Sequence, residues 1–494
     1  MQRQTSLYKQ KLISITPEIM TVLLLLHPIL DIISFWRGGS QLIPIRMTLL
    51  IAISAIGFFI ARNKLPYLLL YSAICGFWIL HIIGNIKLGY QDPLTDLIRY
   101  FNLIQFPLWT FSFITFFQEM RGLSIAVFDV LMVNFPIIIF FMILSLITQT
   151  ALYTQKEPQI GFVGWASSPH TYSIILAFLT ISVLLWALNT DNLIVFSLCV
   201  LITYRLLYAV GTKVAFYSAI LIAIAFIIII ALQQLHHIYI VPLLLAILLL
   251  LIFRGNSPLF KIQNTAISNA ITYQNQTDEK LGSLKDNISS NPKEISAQAK
   301  ETIISLYEEI YGDKKILGNL IERFGKEKVA EAYRYTVNAH DLLDKNTRNA
   351  VYHKLLRSEH DFLTKLVGFE YADDSFNNQE YHMKKDWPEL FHHYGYLGGI
   401  GYLLFLIYIL WTAVKRILGE FPHNLSVQFL SSALMFILLL FISFVSFGVF
   451  ANPSITIYMA LSAASIYSHS AFTHSYSSQS SKYTRKSVVT IKRL

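Results

Sequence analysis

From Val214 to Leu232, and again from Ile238 to Phe253, the chain carries no charged side chain. Runs of this kind approach the roughly 20 residues that a helix needs to cross about 30 Å of hydrocarbon, where each backbone N–H and C=O must find its partner within the segment. Similar runs recur along the 494 residues, so that 54% of the chain is hydrophobic, 14% is charged and the mean hydropathy is +0.51. That composition excludes a soluble domain. The expected fold class is an all-α polytopic membrane protein.

Hydrophobic windows place about 12 spans, near 19–36, 46–61, 66–83, 101–118, 125–147, 170–188, 193–210, 214–232, 237–253, 395–414, 427–449 and 453–467. If each window crosses once, Arg3, Lys9, Lys11, Arg62, Lys64, Arg121, Lys415 and Arg416 fall on one side. So do Lys482, Arg485, Lys486, Lys492 and Arg493 of the tail. This positive-inside signature makes both termini cytoplasmic, in a bacterial cytoplasmic membrane. It also accounts for the formal charge of +9; no Arg-aromatic stripe accompanies that charge, and no nucleic-acid partner is expected. The first apolar run lacks a small-residue cleavage site and reads as a retained anchor.

The chain then divides into a bundle of about nine spans over 1–253, one large extracytoplasmic loop over 254–394, about three further spans over 395–467, and a basic cytoplasmic tail over 468–494. Within the loop, Asn256 to Lys300 is rich in Asn, Ser, Gln and Lys and reads as flexible. Beyond it, Ile303, Leu306 and Ile310, then Leu317, Leu320, Ile321 and Phe324, then Val329, Tyr333 and Val337 recur at helical spacing. They predict two or three short amphipathic helices broken at Gly312 and Gly325, either a bare cap or a part of the chemistry. Cys75 and Cys199 both fall inside apolar runs and read as packing residues.

Charged groups within spans are costly and therefore candidates for function. Arg205 is one: it either pairs with a carboxylate such as Asp31 of the first span or meets a phosphate. Gly211-Thr212-Lys213 closes one span and opens the next, so that Lys213 sits beside a helix N-terminus with free N–H groups, a compact anion site, or else a lysine snorkelling to the interface. If the helix ran on unbroken, Arg205 and Lys213 would lie about 12 Å apart along its axis and would not share one diphosphate. The third feature runs from His382 through Asp386, Glu389, His392 and His393 to Gly395, Gly398, Gly399 and Gly401. Zinc held by His382, His392, His393 and a carboxylate is weighed and set aside. There is no His-Glu-x-x-His arrangement, and adjacent histidines on a helix point to different faces. Neither a metal nor another cofactor is expected, and activity should survive a chelator.

Several short segments, in order, resemble the O-antigen ligase/Wzy-type polymerase family, in particular its Gram-positive branch of teichuronic-acid and capsule polymerases. His27-Pro28-Ile29-Leu30-Asp31 is similar to an opening Pro-x-x-Asp, and Ile45-Arg46 and Gly211-Thr212-Lys213 also fit. Asn346-Thr347-Arg348-Asn349 resembles a loop Ser-Gly-Arg-Asp, Val367-Gly368-Phe369 a Phe-Gly-Leu-Gly, and Asp386 through Gly398 a Glu-x-Asp-(x)n-Tyr-Gly-x-x-Gly. The resemblance implies a GT-C-like bundle and a metal-independent, inverting transfer from an undecaprenyl-diphosphate glycan to a glycan or cell-envelope acceptor. It puts Lys213, with Arg205 and Arg46, on the diphosphate, and Arg348 in the place of the loop arginine. The family's ligases have a His where this chain has Lys384, and Lys385 replaces the usual Glu before the acid. Asp386 is then the choice for the group that accepts or orients the acceptor proton, with Arg348 holding the diphosphate or Asp386 itself and a histidine, His382 or His392, as the alternative; polymerase and ligase both stay open. Asp386 also reads as an N-cap for the helix at Trp387-Pro388.

No nucleotide-binding loop appears among the cytoplasmic connections, so activation has to arrive with a lipid-linked oligosaccharide donor. Membrane lipid and envelope-assembly proteins complete the expected partners. Two other classes were weighed: a flippase for lipid-linked glycans, which would show internal repeats that are not seen, and a non-catalytic assembly scaffold.

Overall fold

The computed structural model describes residues 2–38, 42–120, 122–156, 158–264, 301, 305, 314–332, 345–377, 379–383, 385–421 and 425–472. Most of the segment expected to be flexible, the break expected at Gly312, Val337, Lys384 and most of the basic tail lie outside them. Twelve helices form the bundle: α1 (Gln2–Arg37), α2 (Ile43–Ile60), α3 (Leu65–Ile86), α4 (Pro93–Glu119), α5 (Leu123–Ile147), α6 (Pro169–Asn189), α7 (Leu193–Val210), α8 (Lys213–Leu232), α9 (Ile240–Ile252), and, after the loop, α15 (Gly395–Glu420), α16 (Val427–Val445) and α17 (Pro453–Phe472). Among the described residues, nine helices are long and apolar enough to cross a membrane. The fold is an all-α polytopic membrane protein.

One helix that falls short of that apolarity is informative. α4 carries Asn102, Gln105, Thr110 and Ser112, all buried, because it packs against α2 and α17 and turns its polar groups to protein, where partners exist. Gln105 meets Asn102, and the Thr110 and Ser112 hydroxyls bond back to carbonyls one turn earlier. α6 is central: the stretch from Thr171 to Leu185 is buried along its whole length, as expected of a helix apolar on every face.

On the side of the bundle where the loop lies, the cap side, an antiparallel hairpin of β1 (Leu152–Gln155) and β2 (Ile160–Gly164) joins α5 to α6. The loop supplies α10 (Lys314–Phe324), α11 (Lys326–Ala332), α12 (Lys345–Glu359), α13 (Phe362–Val367), a two-residue hairpin β3 (Ser375–Phe376) with β4 (Gln379–Glu380), and α14 (Asp386–His393). The break expected at Gly325 is present, at φ 84° between α10 and α11.

Two groups of contacts fix the cap to the bundle. The Glu370 carboxylate accepts from Gln91 N–H and Asp92 N–H at the start of α4, a negative charge at a positive helix end. Buried His81 and Asn85 of α3 meet the carbonyls of Val367 and Gly368, and the second ring nitrogen of His81 bonds Asp96. Gly368 (φ 91°) and Gly395 (φ 60°) then interlock: a side chain on either would strike the other's backbone. Glycine is required there on both counts. Two short motifs, Val367-Gly368-Phe369 and Tyr394-Gly395, are thus one structural joint.

Candidate functional site

The turn between α7 and α8 is built by two residues. Gly211 ends α7 in the left-handed region, where a side chain would also strike Pro258. Thr212 then caps α8, its hydroxyl accepting from Ala215 N–H at 3.1 Å. The same hydroxyl is 2.6 Å from that of Ser173, the fifth residue of α6. The starts of α6 and α8 therefore lie side by side, each with the positive end of its dipole on the cap side. Lys213 is the first residue of α8, is exposed, and has no ion-pair partner among the described residues.

α6 begins at Ser168, whose hydroxyl accepts from Thr171 N–H, with Pro169 in the first turn. His170 follows, one turn before Ser173 and so on the face turned toward Thr212. Its ring stacks on Phe447 at 4.9 Å and its Nε2 bonds the Phe447 carbonyl at 2.6 Å. A carbonyl only accepts, so Nε2 carries the hydrogen and in the neutral ring Nδ1 keeps its lone pair. The sequence reading missed His170. The signal was available: an imidazole one residue into a helix that starts on the cap side, as Lys213 does.

Phe447 belongs to the turn 446–452 between α16 and α17, which joins these groups to the rest of the rim. Asn452 donates to the Thr171 hydroxyl and accepts from Ser454 N–H. Ser454 accepts from Arg46 and donates to Asp31, while His27 bonds its carbonyl. Arg46 is buried and paired with Asp31. The expected pairing of Asp31 with Arg205 is thus corrected. Arg46 opens α2 just across a short turn from the end of α1, whereas Arg205 lies on an outward face of α7. There it is exposed, 5.8 Å from the ring of Tyr208, and lines an apolar cleft of about 1010 Å³ between α7 and α9 with Leu201, Leu245, Leu249 and Phe253.

Asp386 holds the same turn from the cap. Its two oxygens accept from Gly448 N–H (2.6 Å) and Val449 N–H (2.9 Å), while its own N–H donates to the Ser446 carbonyl. It is the first residue of α14 and does not cap that helix, so the N-cap expectation is corrected: the carboxyl group reaches across to another segment. The group is 4% exposed, and burial pushes its pKa up to about 8 against the pull of the backbone N–H groups.

The other residues singled out in the sequence sit within the cap. Arg348 is buried on α12 with its guanidinium 5.4 Å from the ring of Tyr381. Its neighbour Asn349 donates to the carbonyl of His382. His382 is close to Asp374, which lies at the centre of four imidazoles. Asp374 Oδ2 is 3.0 Å from His393 Nε2 and 3.2 Å from His382 Nδ1, and Oδ1 is 3.5 Å from both His353 Nδ1 and His392 Nε2. Burial would raise the Asp374 pKa, but the charges of His393 and His353 hold it well below the carboxylate range. Burial would lower that of His393, but Asp374 raises it, whereas burial takes His392 down to about 3. His353 and Asp374 were not read as site residues, since nothing in their spacing ties them to His392.

The structure thus gathers Lys213, His170, Arg46 and Asp386 around one rim, places Arg348 and His382 together in the cap, and leaves Arg205 on the cleft. Fold and rim define a polytopic membrane protein whose capped mouth carries an exposed lysine on a helix N-terminus. Over residues 14–468 the chain matches the family described as O-antigen ligase like membrane protein, and it belongs to that family. Its role is accordingly that of a membrane glycan ligase or polymerase, a glycosyl-transferring enzyme. Neither the curated proteins nor the solved structures give a match.

Proposed function

We propose that the protein transfers a glycan from a lipid diphosphate of the undecaprenyl class to a growing glycan or other cell-envelope acceptor. The transfer takes place on the outer face of the bacterial cytoplasmic membrane, in the synthesis of a surface polysaccharide. Orientation follows from the positive-inside pattern, which puts the cap outside and both termini in the cytoplasm. The observation that carries the proposal is Lys213: an exposed ammonium on a helix N-terminus, beside a second N-terminus, where a diphosphate gains both full and partial positive charge. The apolar cleft between α7 and α9 supports it. It runs along the helix that ends at Gly211, so a polyprenyl tail in the cleft would bring its diphosphate toward Lys213, with Arg205 on the way.

Chemically, the acceptor oxygen attacks the anomeric carbon from the face opposite the diphosphate, the bond to the diphosphate breaks, and the configuration inverts. The leaving group takes the electron pair as added negative charge, which Lys213 and the two helix ends stabilise. The proton of the acceptor hydroxyl is assigned to His170 Nδ1. This assignment rests on the rim position of His170 and on the tautomer that Phe447 imposes. Asp386, deep and bonded through both oxygens, is a positioning residue that sets the turn carrying Phe447. Arg348 and His382 act from within the cap on its shape.

Deleting the gene in the source bacterium and measuring glycan chain length tests the reading. Loss of long chains with accumulation of single lipid-linked units is expected of a polymerase; long chains stranded on lipid are expected of a ligase. A glycan unchanged in length and attachment would overturn both.

A further inference from the structure

Asp374 divides its two oxygens unequally. Oδ2 takes the close approaches of His393 and His382, whereas Oδ1 is buried and accepts no well-formed hydrogen bond. A buried carboxylate oxygen left in this way is costly unless something positive meets it. Facing it are two imidazole nitrogens. His353 Nε2 is 2.7 Å from the Tyr381 carbonyl and must carry the hydrogen, so in the neutral ring His353 Nδ1 is a lone pair aimed inward. It lies 2.9 Å from His392 Nε2, and both nitrogens lie 3.5 Å from Asp374 Oδ1.

Three donor atoms thus converge with separations of 2.9, 3.5 and 3.5 Å. For a tetrahedral zinc ion with ligands at about 2.0–2.1 Å, ligand atoms stand roughly 3.3–3.4 Å apart. The surroundings match those of a metal site one layer out. The far nitrogen of His353 donates to a backbone carbonyl, and the other Asp374 oxygen is held by His393 and His382.

We propose that His353 Nδ1, His392 Nε2 and Asp374 Oδ1 bind one divalent ion of the zinc class, with water in the fourth position. Two imidazoles and a carboxylate suit zinc and cobalt better than magnesium or calcium, which prefer all-oxygen shells. Binding through His392 Nε2 needs the tautomer whose hydrogen is on Nδ1, so the hydrogen now lying between the two rings moves within His392. The ligands come from α12, from the turn Tyr371–Asp374 and from α14. The ion therefore ties three separate segments of the cap together, a structural part that leaves the glycosyl transfer to the rim. It also answers the objection drawn from adjacent histidines. His392 and His393 do leave α14 in different directions, yet each reaches a different oxygen of the same carboxylate.

The test needs no glycan. Untagged protein, purified in detergent, is stripped with a strong chelator, re-equilibrated with zinc or cobalt, desalted, and assayed by elemental analysis. About one ion per chain is expected, with the visible absorption of tetrahedral cobalt in the cobalt form. His353→Ala and Asp374→Asn should each lower retained metal at least tenfold while eluting as monodisperse protein, and Lys213→Ala should retain it in full. If a variant fails to fold, the wild-type cobalt spectrum still decides. Wild-type protein that retains no metal, or cobalt that absorbs as the free aqueous ion, would overturn the proposal. So would retention unchanged in His353→Ala, which would mark an adventitious ion.

Discussion

Lys213→Ala is expected to reduce glycan transfer by about 10²–10³-fold, the usual cost of removing one preorganised electrostatic partner of a developing charge. Stability should hardly change, because the side chain is exposed and the α8 cap belongs to Thr212, not to Lys213. Lys213→Arg should retain part of the activity, since the charge survives while its geometry changes from a point to a planar fork. The comparison is made on purified protein with lipid-linked glycan, each variant matched for amount and thermal midpoint. An alanine variant that transfers at the normal rate would return Lys213 to the role of an interfacial lysine that snorkels to water.

His170→Ala is expected to slow transfer by about 10²–10⁴-fold, the range for a lost general base. The structural loss is limited to the hydrogen bond to the Phe447 carbonyl, the stacking on the Phe447 ring and the contact with the Ser446 hydroxyl, together about 1–3 kcal/mol. Asp386→Asn separates this role from that of the carboxyl group beneath the turn. An Asn side chain keeps one acceptor oxygen but sets an NH2 donor against the other backbone N–H, so it loses one of the two bonds and should cost about 1–3 kcal/mol of stability. It cannot take a proton, yet the folded variant should transfer near the normal rate at pH 7. Asp386→Ala leaves the N–H groups of Gly448 and Val449 without their acceptor and should be destabilised by roughly 2–5 kcal/mol. The pH dependence has a definite sign. The folded state keeps a proton that the unfolded chain has already lost, so this contribution to stability is full below the ordinary carboxylate range and falls as pH rises through about 8. Thermal midpoints measured between about pH 6 and pH 9 should decline less in Asp386→Asn than in the wild type. Should Asp386→Asn instead transfer slowly while His170→Ala is normal, the base is Asp386.

The helices were legible because lipid demands long apolar segments, and the Gly211-Thr212-Lys213 boundary was legible because a left-handed glycine, a capping threonine and a new helix leave a local trace. Partners that depend on which helices touch left none. Asp31 could be matched with Arg205 or with Arg46 from charge alone, and only the packing of α1 on α2 selects Arg46. Likewise, Asp386 before Trp387-Pro388 carries a helix-start signal that its side chain does not use, because a turn 62 residues later in the chain offers two unpaired N–H groups. Gly368 and Gly395 each stood in a separate short motif, and nothing in the sequence marked them as halves of one joint. The four imidazoles about Asp374 come from segments whose spacing follows no ligand pattern.

The claim that the rim joins glycans, rather than moving or merely gathering them, is tested most directly by turnover. Purified protein in detergent or liposomes is given a lipid-diphosphate-linked glycan with its acceptor, and products are sized by electrophoresis and mass spectrometry. New glycosidic linkages of inverted anomeric configuration, with release of the lipid diphosphate, are the predicted result. Donor that crosses the liposome membrane while every glycan keeps its original length and lipid would contradict the account and identify a transporter.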